Sequence, residues 1–174
     1  MAEARSPLGG RAADLAAIEA VELAHLAQVD VRCSPDDAAR LGLPREPNTV
    51  AGDDLRGMLW LGPDEWLVVG APGTEPAIVA ELEAALAGSH HSVVDVTSNR
   101  TVIELRGTDR LTRLASGCPI DLDPAGGWCP GLCAQTLYGH AQVLLQERED
   151  ATRMFVRSSF ADHVVDRLLL PVAP

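Results

Sequence analysis

The stretch Leu59–Gly70 reads LWLGPDEWLVVG: two apolar segments flanking the acidic knot Gly62-Pro63-Asp64-Glu65. Leu59 and Leu61 alternate about Trp60, and Trp66 to Val69 is an apolar, partly β-branched run. Pro63 has the fixed φ that suits the second position of a turn, and Asp64 and Glu65 suit its solvated tip. The segment therefore reads as a β-hairpin with one buried face, which commits the chain to a sheet. Adjacent strand residues point to opposite faces, and at a turn both carboxylates face water. Asp64 and Glu65 are thus expected as turn residues and not as a catalytic acid pair. Trp60 and Trp66 are expected as core anchors, each able to bury about 150–250 Å².

Other segments follow the same logic. Residues 1–10 are expected to fray. Residues 11–28 are rich in alanine and leucine and read as helix by propensity, although their apolar periodicity is poor. Val29, Val31 and Cys33 alternate as in a strand. Residues 34–41 read as a short helix with Ser34 as N-cap and Pro35 at its first position, and 42–56 as a loop. A helix is expected over 74–87, capped by Thr74, with Ile78, Leu82 and Leu86 on its apolar face. Strands are expected over 92–99 and 101–107, then a short helix over 108–115 starting at Thr108. Beyond a Pro/Gly-rich loop, 133–147 reads as a strand pair and 153–158 as a further strand. Ser159 and Asp162 form a capping-box pattern before a last helix over 160–170. Strands and helices are mixed with hairpin-like neighbours, so the fold class is α+β.

The chain has 174 residues, enough for one domain with a proper core or two very small ones, and a single domain over 1–174 is expected. Its net charge of −11 repels phosphate, so nucleic acid and anionic membrane are poor partners. All 14 basic residues are arginine. Lysine chemistry is thereby excluded: Schiff bases, covalent pyridoxal phosphate and a Walker-type phosphate lysine. The opening MAEARSPLGG has no apolar core of a signal peptide, and no apolar run approaches the ~20 residues of a membrane span. A reduced, cytoplasmic protein is expected.

No motif assigns a catalytic, cofactor-binding or metal-binding residue to this chain. Of Cys118, Cys129, Cys133 and His140, only Cys129 and Cys133 have the short spacing of a zinc knuckle. His90 and His91 are neighbours whose side chains diverge. There is no Gly-x-Ser-x-Gly elbow. The nearest approach to a dinucleotide loop, GAPGTEP at 70–76, lacks the glycine spacing and the βαβ setting.

Four blocks are more specific: LWLGPDEWLVV (59–69), VVDVTSNRTVIELRG (93–107), GCPIDLDPAGGWCPGLCAQTLYGHAQVLL (117–145) and FVRSSFADHVVDRL (155–168). In this order they resemble the gamma subunit of heterotetrameric sarcosine oxidase over roughly residues 20–170. More distantly, Asp95-Val96-Thr97, Arg106-Gly107, Leu114 to Leu122 and Pro130-Gly131 resemble the folate-binding module of the glycine-cleavage aminomethyltransferase. That implies an α+β module with a twisted antiparallel sheet and packed helices. The first resemblance implies a subunit of a complex that oxidises sarcosine to glycine, giving hydrogen peroxide and passing the one-carbon unit to tetrahydrofolate. It places FAD on beta, FMN between alpha and beta, NAD on alpha and zinc on delta, with gamma packed mainly against the folate-binding part of alpha and holding no cofactor.

In the aminomethyltransferases, a glycine and then a folate-contacting aspartate follow the second hairpin turn. The matching segment here, Gly139-His140-Ala141-Gln142-Val143-Leu144, has no carboxylate, and the next is Glu147. The acid/base group is missing at that position, which favours a structural role. Two alternatives stay open: a stand-alone folate-binding protein, and a subunit of an oxidase for another N-methyl amino acid. Trp60, Trp128 and the C-terminal helix are candidate partner contacts, since aromatic residues are enriched both in cores and at interfaces. Pairing of Cys129 with Cys133 is open.

Overall fold

The computed structural model describes residues 5–53 and 56–171. In chain order the elements begin with α1 (Ala12–Ala16), β1 (Ala20–Glu22), β2 (Ala27–Arg32), α2 (Pro35–Arg40) and β3 (Val50–Gly52). The middle of the chain holds β4 (Arg56–Gly62), β5 (Glu65–Gly70), α3 (Glu75–Ala85), β6 (Ser92–Asp95), β7 (Arg100–Leu105) and α4 (Arg110–Ala115). The last part holds β8 (Cys133–Tyr138), β9 (Ala141–Glu147), β10 (Thr152–Arg157) and α5 (Ala161–Leu168). The chain gathers into two compact units: a first of residues 1–24, 99–130 and 135–174, and a second of 25–98 and 131–134.

The second unit is built on the sheet β3-β4-β5-β2-β6. The hairpin read from the sequence is β4–β5, with Trp60 opposite Trp66 and a register shift between Trp60 and Gly62. Trp66 is 1% exposed and its indole N–H donates to the Pro44 carbonyl at 2.8 Å. It packs with Val29, Val31, Val68, Ile78, Leu82 and Leu86 in one apolar cluster, with Trp60 packed against it. The four-residue spacing of Ile78, Leu82 and Leu86 does place them on the buried face of α3 and its C-terminus. Ser34 caps α2 as expected, its hydroxyl accepting from the Asp37 N–H at 3.2 Å.

The first unit holds the sheet β1-β7-β10-β9-β8, so the antiparallel sheet implied by the resemblance occurs in both units. β10 pairs with β7 and with β9, with Met154 opposite both Ile103 and Leu145. Residues two apart on a strand share a face. Phe155, Val102 and Leu144 therefore lie on one face, and Met154, Ile103 and Leu145 on the other. All six are 3% exposed or less.

Several local expectations change. The helix expected over 11–28 ends at Ala16. Glu19 and His25 take left-handed backbone angles (φ 52° and 59°) and turn the chain, and β1 and the start of β2 occupy the remainder. The poor periodicity was the better signal there than the high helix propensity. Within the segment expected to fray, Leu8 is 1% exposed; its N–H donates to Glu22 at 3.3 Å, and the Ser6 hydroxyl also bonds Glu22. β3 falls inside the expected 42–56 loop. Thr74 does not cap α3 through its side chain; its hydroxyl donates to the Ala71 carbonyl at 2.6 Å instead. The Ser159–Asp162 box does not form, because a 3-10 turn over Ser158–Phe160 occupies the N-cap region of α5. α4 starts at Arg110, two residues beyond Thr108. The successive strands β6 and β7 belong to different sheets.

Candidate functional site

Asp64 and Glu65 sit at the β4–β5 turn, as expected. Asp64 is exposed, whereas Glu65 is partly covered. Arg32 on the neighbouring β2 gathers both, at 2.7 Å from Glu65 and 4.0 Å from Asp64. The pair thus closes a half-exposed charge cluster at the end of a sheet and offers no shared apolar pocket.

The histidines and cysteines are dispersed. His91 lies 3.0 Å from Glu83, a contact that raises its pKa, helped by its hydrogen bond to the Ser89 carbonyl. His90 and His140 are exposed. Cys133 is buried beneath the Thr49 and Trp60 carbonyls, each 3.5 Å from its sulfur; burial pushes its thiol up to about 11. Burial likewise pushes Cys118 up to about 12. Thiols so raised are poor nucleophiles at neutral pH. Cys129 is exposed, and all four are free thiols. Among the described residues, no group of three or more His, Cys, Asp or Glu side chains is arranged to hold a metal ion.

The motif segments of the aminomethyltransferase resemblance have structural positions. Asp95 ends β6 by accepting from the Thr97 N–H at 2.9 Å, and Thr97 in turn accepts from the Gln28 N–H at 3.0 Å. Arg106 donates twice to Glu104, at 3.0 and 2.6 Å. Gly117 lies under the Tyr138 ring, so close that a Cβ would come within 2.5 Å of it. Gly139, with φ 59°, and His140 form the tight β8–β9 connection.

The carboxylates that sequence reasoning could not place are buried in the first unit. Glu147 is 3% exposed. It accepts from Arg110 at 2.8 Å, from the Trp128 indole at 2.9 Å and from the Thr152 hydroxyl at 2.5 Å. Trp128, a candidate partner contact from the sequence, is thereby a buried pin that ties the 117–130 loop to the sheet. Glu104 receives Arg106 on one oxygen and Arg153 on the other, the latter at 2.9 Å. Burial pushes the Glu104 carboxyl up, but the two arginines outweigh it and hold it below its ordinary value. Both carboxylates are engaged on both oxygens by donors of their own chain.

The same sheet also carries a cleft of about 360 Å³, lined by Arg100, Arg157, Gln135, Gln142, Leu137 and Leu144 among others. Arg157 pairs directly with Arg100 across β10 and β7. No motif marks this pair, since only strand register brings the two positions together. One sequence signal does exist: Arg153 and Arg157 are four apart on one strand and so share a face.

The model of the "Sarcosine oxidase, gamma subunit family" matches residues 25–170. The chain belongs to that family. The chain is 34% identical over 157 residues to sarcosine oxidase subunit gamma of Corynebacterium sp. (strain P-1), covering 85% of this chain and 76% of that relative. It is 31% identical to the counterpart of Corynebacterium sp. (strain U-96), covering 95% and 88%. Among solved structures it matches a chain of the heterotetrameric sarcosine oxidase from Corynebacterium sp. U-96 with a TM-score of 0.87 and 32% identity, covering 95% of this chain and 93% of that one. Aminomethyltransferase T of the glycine cleavage system from Bartonella henselae shares the fold, with a TM-score of 0.64 at 15% identity over 94% of this chain and 49% of that one. The α+β fold shared with aminomethyltransferases is therefore present in this gamma-family chain. No helix among its described residues is long and apolar enough to cross a membrane.

Proposed function

We propose that this chain is a non-catalytic assembly subunit of a heterotetrameric, flavin-dependent sarcosine oxidase. Its partners are the alpha, beta and delta subunits, with alpha the main contact. They hold FAD, FMN, NAD and zinc, and carry out the folate-linked oxidation in the cytoplasm. The observation that carries this reading is the state of the acid groups. The β8–β9 connection and the start of β9 offer Gly139 to Leu144 without a carboxylate. The next one, Glu147, is buried and engaged on both oxygens by Arg110, Trp128 and Thr152. These residues do not fit tetrahydrofolate chemistry, which needs a free acid/base group.

The test is an affinity pull-down of the tagged chain from its native cytoplasm, with an absorption spectrum of the eluate. Three co-purifying chains in equal amounts, with flavin absorbance that is lost from the separated chain, are expected. A lone colourless monomer from cells that express the oxidase would refute the reading. Isothermal heats with tetrahydrofolate on that monomer would then favour a stand-alone folate-binding protein of the same fold.

A further inference from the structure

We propose that His91 is a proton-operated clasp: its charged ring ties the exit of α3 to the start of the edge strand β6, and loss of its proton loosens that tie. α3 ends at Ala85, and Gly88, at φ 86°, supplies the left-handed turn by which the chain leaves it. His91 stands one residue before β6, which is the edge strand of its sheet. The ring reaches in two directions. Its Nε2 lies 3.0 Å from a Glu83 carboxylate oxygen on α3, and its Nδ1 lies 2.8 Å from the Ser89 carbonyl oxygen. An ionised carboxylate and a carbonyl can only accept. A neutral imidazole has one N–H, so it satisfies one of the two and turns a lone pair on the other. Only the imidazolium donates to both. The geometry thus selects the charged form, at a ring whose side chain is 16% exposed.

The clasp extends beyond this pair. Ser89, whose carbonyl receives the ring, donates its hydroxyl to Asp37 on α2 at 3.1 Å. Asp37 also accepts from the Ser34 hydroxyl at 2.8 Å and from Arg40. Neighbouring elements bring a short list of charges towards His91. They are Glu83 from α3, Asp37 with its partner Arg40 from α2, and Arg32 of β2, in register with Ser92. Arg40 is taken up by Asp37 and Arg32 by Glu65, so Glu83 dominates at the ring and favours the proton. The Glu83 contact, then the Ser89 bond, raises the ring's pKa from the ordinary 6.5. The tie is therefore complete below 6.5 and is lost as pH rises through the higher folded value. That shift carries the response towards the physiological range. His90 is exposed and provides an internal reference.

The test uses the full chain. Ring nitrogen shifts of His91, assigned with His91→Gln, are followed by NMR against pH. Amide hydrogen exchange over residues 86–94 is measured alongside, corrected for its intrinsic pH dependence. Wild-type His91 should titrate above His90, and protection of 86–94 should fall about two- to fivefold across that titration, as for a partly exposed ion pair. Glu83→Gln alters a half-exposed side chain. It should bring the His91 midpoint down to that of His90 or below, and make the protection independent of pH. His90→Gln should leave both readings as in wild type. Titration of His91 at or below His90, or protection that stays level across it, would overturn the clasp. So would a pH-dependent loss of protection that persists in both Glu83→Gln and His91→Gln, since it would then belong to another group.

Discussion

The two five-stranded sheets of this chain solve the same problem by different means. In the second unit, the strands present Val29, Val31, Trp66 and Val68 to a shared apolar cluster with α3. In the first unit, the strands bury Glu104, Gln146, Glu147 and Thr152 at 4% exposure or less. Apolar burial is non-directional and tolerates exchanges that conserve volume. A buried carboxylate is tolerated only when donors meet it with good geometry. The comparison teaches that apolar volume builds the core of both units, and that the first adds to it a set of named donor–acceptor pairs.

The strongest way to break the comparison is Glu147→Ala. It strands Arg110, Trp128 and Thr152 without their acceptor, and a loss of about 3–5 kcal/mol is expected, as for a broken buried ion pair. Urea denaturation measures it; a loss below that of an ordinary surface exchange would mean the network is not structural. Trp66→Phe probes the other unit. It keeps most of the apolar volume and leaves the Pro44 carbonyl without its donor, so about 1–3 kcal/mol is expected. A cost equal to that of Glu147→Ala would erase the proposed difference between the units.

The smallest effect sharpens the comparison by pH. The Glu104 carboxyl is held below its ordinary value of 4.5. Its stabilisation is therefore complete above that value and is lost as pH falls through the lowered folded value. The stability gap between wild type and Glu104→Gln should be constant near neutrality and shrink on acidification below about 4.5. A gap that stays flat down to pH 3 would show that the arginine pairs contribute nothing to the linkage.

How much of this was legible depends on range. The β4–β5 hairpin, the Ser34 cap and the apolar face of α3 are local patterns, and they were read correctly. The glycine-free alanine run at 11–28 misled because propensity is a weak prior. Left-handed backbone at Glu19 and His25 overrides it, and neither residue is a type that announces a turn. Arg32 gathering Asp64 and Glu65 depends on β2 lying beside β5, which no spacing reveals. The Glu147 network depends on Trp128, nineteen positions away, and the cleft depends on β7 meeting β10. The family resemblance reached the fold by matching whole blocks, but it said nothing of the residues that the register brings together.

One feature of the connectivity bears on synthesis. β1 is the edge partner of β7, with Ala20 opposite Leu105, and the whole stretch 25–98 of the second unit is threaded between them. During translation that stretch emerges as an almost complete body, lacking only 131–134. β1, by contrast, waits for β7, and the sheet cannot close until β10 ends at Arg157. Non-local pairing of this kind is slow, and unpaired strand edges invite off-pathway association. The nascent chain thus carries a finished hairpin body between two ends of an unfinished sheet. A ribosome pause after residue 98 would prolong the interval in which β1 has an open edge.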